Sequence, residues 1–230
     1  MHSQPSSTGK CPFHGALGSK AVSLADTLRE QTKDAHTRAE KHPQQARLVK
    51  GEATREDYAA WLGQMAQVWR ALDRGLATKA ATDPRISAIT RPYHAHAARV
   101  EADLTYLGSP IETHAELPAT AAFVAKVNMA AAGVGPELVG IWYVLEGSAN
   151  GGKYIARAIS KSLGIAGPEG LMSLDPHGDA QRERWQAWRA DVDAQPWTEG
   201  ERASIVSAAT ETFNSIHSLL DDLEVTPSTR

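Results

Sequence analysis

Between Leu138 and Leu163 apolar residues recur at helical spacing, through Ile141, Trp142, Val144, Leu145, Ile155 and Ile159, yet Gly147, Gly151 and Gly152 interrupt the run. Each glycine in a helix interior costs on the order of 1 kcal/mol against alanine. A helix that keeps three of them must be offset by something laid against its bared backbone. At 100° per residue Gly140, Gly147 and Gly151 fall within roughly 40° of one another, a strip suited to a flat ligand or to a closely packed second helix. The rest of the body is alanine-rich with apolar residues at the same spacing, and period-2 alternation of β-branched residues is almost absent. The predicted fold class is therefore all-α.

Helix starts are signalled chemically. Ser23 with Asp26, Thr54 with Asp57 and Thr198 with Glu201 have capping-box spacing, and Pro92, Pro118 and Pro136 each precede an alanine- and leucine-rich stretch, as a first-turn proline does. The pattern predicts helices over 23–41, 54–80, 92–107, 119–132, 136–164, 179–194 and 198–223. The longest connection is 164–178, with Gly167, Pro168, Gly170 and Pro176. Residues 1–20, rich in Ser, Gly and Pro, read as a disordered N-terminal tail, 21–224 as a single helical domain and 225–230 as a polar C-terminal tail. At 230 residues one domain is the expected number, and no repeat of 20–50 residues is visible.

The formal net charge of −3 supplies no global basic field for nucleic acid or anionic lipid. The most apolar segment, Leu138 to Leu145, is too short for a bilayer and is bounded by Glu137 and Glu146. The N-terminus lacks the cationic start and apolar stretch of a secretory signal. A single cysteine, Cys11, excludes an intramolecular disulfide and a cysteine-rich zinc site. The expectation is a soluble cytoplasmic protein without membrane or nucleic-acid partners.

On the first helix Leu24, Leu28, Thr32, Ala35 and Ala39 form the buried stripe. His36 lies roughly 80° from Leu28, and Arg29 and Lys33 lie at roughly 100° and 140°. The three share a flank bordering the core, with an imidazole beside two cations. Such a flank suits a metal ligand next to an anionic group, or a plain border histidine on a solvated face. Gly147 to Lys153 also spells G-x-x-x-x-G-K, but Tyr154 stands where a phosphate-binding loop needs Ser or Thr, and no parallel sheet is signalled. His94 and His96, two apart, point to opposite sides of a helix. The absence of Glu-x-x-His argues against a di-iron bundle. Cys11-Pro12 has the form of a peripheral haem-regulatory dipeptide, although no neighbour lowers the thiol pKa.

Together, T-K-D-A-H-T-R-A-E at Thr32 to Glu40 and Y-V-L-E-G-S-A-N-G-G at Tyr143 to Gly152 resemble the proximal and distal segments of the haem oxygenase family, in its bacterial, phytochrome-associated branch. The similarity covers about Leu24 to Leu223. It implies a single-domain haem-oxygenase-like helical fold with haem between the first helix and the glycine-rich distal helix, and His36 as axial ligand of the iron. Arg29, Lys33 and Arg189 match cationic positions near the propionates. Phe213 matches a pocket aromatic, though a plain core phenylalanine explains it equally well. Trp142 or Tyr143 would line the pocket, and Gly147, Gly151 and Gly152 would bring backbone to the ring. The catalytic part implied is Gly147, Ser148, Asn150 and Gly151. The family reaction cleaves haem (heme b, both cofactor and substrate) with O₂ to biliverdin, CO and ferrous iron. Electrons come from a ferredoxin or a flavoprotein reductase, and a bacteriophytochrome would accept the biliverdin. Many family members carry aspartate where Ser148 stands, which keeps open an alternative: a non-catalytic haem carrier or sensor of the same fold.

Overall fold

The computed structural model describes residues 22–225. The expected N-terminal tail with its Cys11-Pro12 dipeptide, and the last five residues, lie outside that range. Among the described residues there are ten α-helices: α1 (Leu24–Gln31), α2 (Lys33–Glu40), α3 (Pro43–Lys50), α4 (Arg55–Ala80), α5 (Pro84–Ile89), α6 (Ala97–Tyr106), α7 (Pro118–Ala132), α8 (Glu137–Leu163), α9 (Gln181–Asp193) and α10 (Glu199–Val225). No strand occurs among them, and no helix is long and apolar enough to cross a membrane.

The capping signals hold. The Ser23 hydroxyl accepts from Asp26 N–H at 3.1 Å, and Thr54 with Asp57 and Thr198 with Glu201 form reciprocal boxes. The expected helix over 23–41 is broken at Thr32. This residue is buried, and its hydroxyl donates back to the Leu28 carbonyl at 2.7 Å, a bond that bends helices. Two short helices, α3 and α5, were not signalled by apolar period, because each buries so few side chains: Leu48 in the first, Ile86 and Ile89 in the second. Their starts are nevertheless written as His42-Pro43 and Asp83-Pro84, a capping acceptor followed by a first-turn proline.

The expected helix over 92–107 divides as well. A turn of 3₁₀ helix spans Pro92–His94, and α6 starts at Ala97, where the Asp73 carboxylate of α4 accepts both the His96 and Ala97 N–H groups at 2.9 and 2.8 Å. A carboxylate from a neighbouring helix thus does the work of a local N-cap.

The centre of the fold is α8. From Leu138 to Glu146 every residue is buried, so this half is surrounded by protein, with α10 its largest neighbour. A Cβ on Gly140 would collide with the Ile205 carbonyl and Ala209 N of α10. Gly140 is therefore a helix-crossing glycine, which selects at this position the packing reading over the ligand reading of the strip. The helix α1 packs against α9 and α10, and α2 lies on α10. Residues 164–177 wrap the second half of α8 and are held by the buried Asp103 carboxylate of α6, which accepts from Met172 N–H, Ser173 N–H and the Ser173 hydroxyl at 2.9, 2.7 and 2.6 Å. The Tyr58 hydroxyl adds a bond to the Gly170 carbonyl at 2.9 Å.

Candidate functional site

On α2 the His36 side chain is about half exposed, and its Nδ1 lies 3.6 Å from Glu40 Oε2, one turn on. That separation is an electrostatic contact rather than a hydrogen bond. It favours the tautomer with the proton on Nδ1 and leaves the Nε2 lone pair available, the usual arrangement of a metal-ligating imidazole. The ring stands edge-on to Phe213 of α10, centroids 5.4 Å apart at 85°. Phe213 thus buttresses the imidazole, a contact between residues far apart in sequence.

A second group gathers where α1, α8 and α9 meet. Arg189 donates to Asp26 at 2.7 Å, joining α9 to α1. Burial pushes the Tyr143 hydroxyl pKa up, the cations Arg189 and Arg29 pull it down, and Asp26 adds a smaller upward push. The phenol, two guanidinium groups and a carboxylate therefore share one neighbourhood. Arg29 and Lys33 are exposed, and among the described residues neither has a carboxylate within salt-bridge distance. They are free to meet an external anion.

The glycines of α8 have different neighbours. Gly151 is open: a Cβ there would meet nothing within 4 Å. Gly147 lies under the indole of Trp185, to which a Cβ would approach 3.1 Å. Gly152 faces the other way, and a Cβ would collide with the Leu174 carbonyl. Its absence of a side chain serves the packing of the 164–177 segment. Next to them, Ser148 is exposed and its hydroxyl donates to the Leu145 carbonyl at 2.6 Å, while the Asn150 amide donates to the Gly147 carbonyl at 2.9 Å and accepts from Gln181 at 3.3 Å. Both side chains turn back on their own helix.

Trp142 is fully buried between His94 and Trp188, ring centroids 4.9 and 5.1 Å away. The adjacent Tyr143 instead leans on Trp185 at 5.5 Å, and Trp185 lies parallel to Trp188 at 5.4 Å. The α8 helix runs without a break through Gly147 and Lys153, so no loop is present to cradle a phosphate.

Sequence reasoning missed a polar cluster behind Gly147. Glu146, 2% exposed, accepts from His96 Nε2 at 2.8 Å and from His177 Nε2 at 2.7 Å, and Arg184 sits 3.0 Å from His177 Nδ1. Burial pushes the Glu146 pKa up, but the bonds from His177 and His96 outweigh it and hold the pKa at about 2. The available signal was a glutamate inside an otherwise apolar and glycine-bearing run.

Among the described residues the arrangement offers an imidazole whose Nε2 is available, two cations, Arg29 and Lys33, without carboxylate partners, and open helical backbone at Gly151. A model of the Heme oxygenase family matches residues 22–222. A curated heme oxygenase of Takifugu rubripes is 23% identical over 206 residues, which is 87% of this chain and 74% of that one. Among solved structures, heme oxygenase-1 of the cyanobacterium Synechocystis in complex with heme superposes with a TM-score of 0.81 at 24% identity, covering 88% of this chain and 93% of that one. Heme oxygenase-2 of the same organism, with heme and NO, gives 0.82 at 25% identity over 88% and 85% of the two chains. The heme oxygenase of Leptospira interrogans gives 0.80 at 21% identity over 86% and 98%. With the family model spanning nearly all of the described residues and the fold agreeing with it, the chain belongs to the haem oxygenase family.

Proposed function

We propose that this protein binds haem against the α1–α2 flank and the Gly147–Gly151 stretch of α8, and cleaves it with O₂ to biliverdin, CO and ferrous iron. The observation that carries this reading is His36: a half-exposed imidazole whose Nδ1 faces Glu40, whose ring is backed by Phe213, and whose Nε2 is left to coordinate. The residues fit the group. Among the described residues Arg29 and Lys33 have no carboxylate partner, which suits them to propionates, and Arg189 can exchange Asp26 for one. The Tyr143 hydroxyl, next to Arg29 and Arg189, can donate to the same carboxylate. Gly151 leaves helical backbone open, with nothing within 4 Å of where a Cβ would stand, which suits a flat ring.

When bound, haem supplies the redox-active iron that turns O₂ on its own porphyrin edge. The chain supplies position, charge and hydrogen bonds. Arg29, Lys33 and Arg189 would hold the propionates and so orient the ring. The exposed Ser148 hydroxyl donates its proton to the Leu145 carbonyl, so toward a ligand it would offer lone pairs and accept from water rather than act as an acid. Asn150 is likewise committed to Gly147 and Gln181. Protons would then arrive through water held at the helix surface. Electrons would come from a ferredoxin or a flavoprotein reductase, and a bacteriophytochrome would take the biliverdin.

The same commitment of Ser148 is what favours a second reading, a carrier or sensor that holds haem without cleaving it. Mixing purified protein with haemin and an electron donor under air separates the two. Loss of the Soret band with growth of bilin absorbance is expected; a Soret band that persists through many equivalents of donor assigns the carrier, and no band on haemin addition removes both. The His36→Ala variant should lose the wild-type axial spectrum, recoverable with added imidazole.

A further inference from the structure

Glu146, His96 and His177 place their ligating atoms within 4.8 Å of one another, all buried, in the outline of a metal triad. The outer partners decide otherwise. A guanidinium can only donate, so Arg184 Nη1 at 3.0 Å makes His177 Nδ1 an acceptor and puts the ring proton on Nε2, aimed at Glu146. Arg99 Nη1, which donates to the Ala95 carbonyl at 2.5 Å, also faces His96 Nδ1 at 3.5 Å and favours the same tautomer. For either Nε2 to bind a cation, a proton would have to move to Nδ1, against an arginine. The cluster holds two N–H donors on a carboxylate and is not a cation site. A second grouping, His42, His217 and Asp221, is excluded in the same way at His42, whose Nδ1 accepts from Gln44 N–H at 3.2 Å.

The carboxylate so held belongs to the residue immediately before Gly147. Arg184, which locks His177, immediately precedes Trp185, whose indole lies on Gly147, and the Arg184 guanidinium also caps the Tyr93 ring at 4.3 Å. One network therefore ties four pieces of chain together at the same point of α8: the 93–96 segment, α8 itself, the end of the 164–177 wrap and α9. A helix carrying Gly147, Gly151 and Gly152 has few side chains of its own to set its rotation there.

We propose that Glu146 is a positioning residue: through His96 and His177 it fixes the height and rotation of the Gly147–Gly151 backbone, and through His177 and Arg184 it seats Trp185 on Gly147. The inference rests on the reading of this stretch as the distal wall of the haem site, but its first test does not need haem. The substitution Glu146→Gln keeps the shape and turns one acceptor into an N–H donor facing an imidazole N–H. Backbone amide exchange in the haem-free protein should then quicken about 100-fold over Gly147–Gly151 while α2 and α4 keep their protection. Arg184→Gln, on a partly exposed residue, serves if Glu146→Gln does not fold, and should quicken the same amides by about 10-fold. The second readout is the infrared C–O stretch of the CO-loaded ferrous protein, which should shift or split in both variants with the Soret maximum unchanged. Unchanged exchange over Gly147–Gly151, or a loss of protection spread evenly over all the helices, overturns the proposal. A wild-type protein that takes up no haem removes the function proposed above and leaves the exchange experiment to decide this one.

Discussion

The three glycines in the middle of α8 serve different ends, and single methyl groups can tell them apart. Gly151 is helical with open space at its Cβ, so Gly151→Ala should stabilise the haem-free protein by about 0.5–1 kcal/mol through helix propensity. It should also weaken haem affinity, because the methyl stands where the ring is proposed to lie. Gly152→Ala should do the opposite to stability: its Cβ collides with the Leu174 carbonyl, and moving that backbone costs roughly 1–3 kcal/mol. Denaturant titration of the two variants with and without haemin measures both effects. A Gly151→Ala protein that binds haemin as tightly as the wild type would remove Gly151 from the site. The sequence shows three glycines at helical spacing, and nothing in it separates Gly151 from Gly152. The separation comes from the 164–177 wrap, which lies against one side of the helix and leaves the other open.

At the scale of elements the helix starts were legible because a cap is a local hydrogen bond between residues three apart, as at Thr54–Asp57 and Thr198–Glu201. The start of α6 was not legible, because its cap is Asp73, more than twenty residues upstream on α4. Replacing Asp73 by alanine leaves the His96 and Ala97 N–H groups without their acceptor and should cost about 2 kcal/mol, read as a lower urea midpoint at unchanged slope. His96 carries one of the two bonds to Glu146, so this variant should also quicken amide exchange at Gly147. The division between α1 and α2 has the same character. Thr32 belongs to a continuous helical pattern, and it is burial beside Leu28 that leaves its hydroxyl no partner but the Leu28 carbonyl.

For the whole molecule, the buried groups His94 and Glu146 shape the response to acid. Burial lowers the His94 pKa from 6.5 to about 4, with Glu146 pulling it back up and His96, His177 and Arg91 adding to the depression. The unfolded chain takes a proton at this residue near pH 6.5 and the folded chain does not until about pH 4, so acidification between these values favours unfolding, by up to roughly 3 kcal/mol. Below the ordinary carboxylate range the same sign holds for Glu146, whose pKa of about 2 makes its bonds a stabilisation present at neutral pH and lost as pH falls toward that value. Urea unfolding at pH 7.5, 5.5 and 4.5 should show stability falling with pH, and His94→Gln should flatten that slope; an unchanged slope would place the titration elsewhere. By itself the sequence determined the all-helical class, the capped helix starts and the presence of a glycine-bearing helix, because each depends on residues within a few positions of one another along the chain. Only the tertiary structure decided which glycine stays open, that Phe213 backs His36, and that Glu146 is held by His96 and His177, 50 and 31 positions away. A buried charge must find its donors wherever packing brings them, and no periodicity along the chain records where that is.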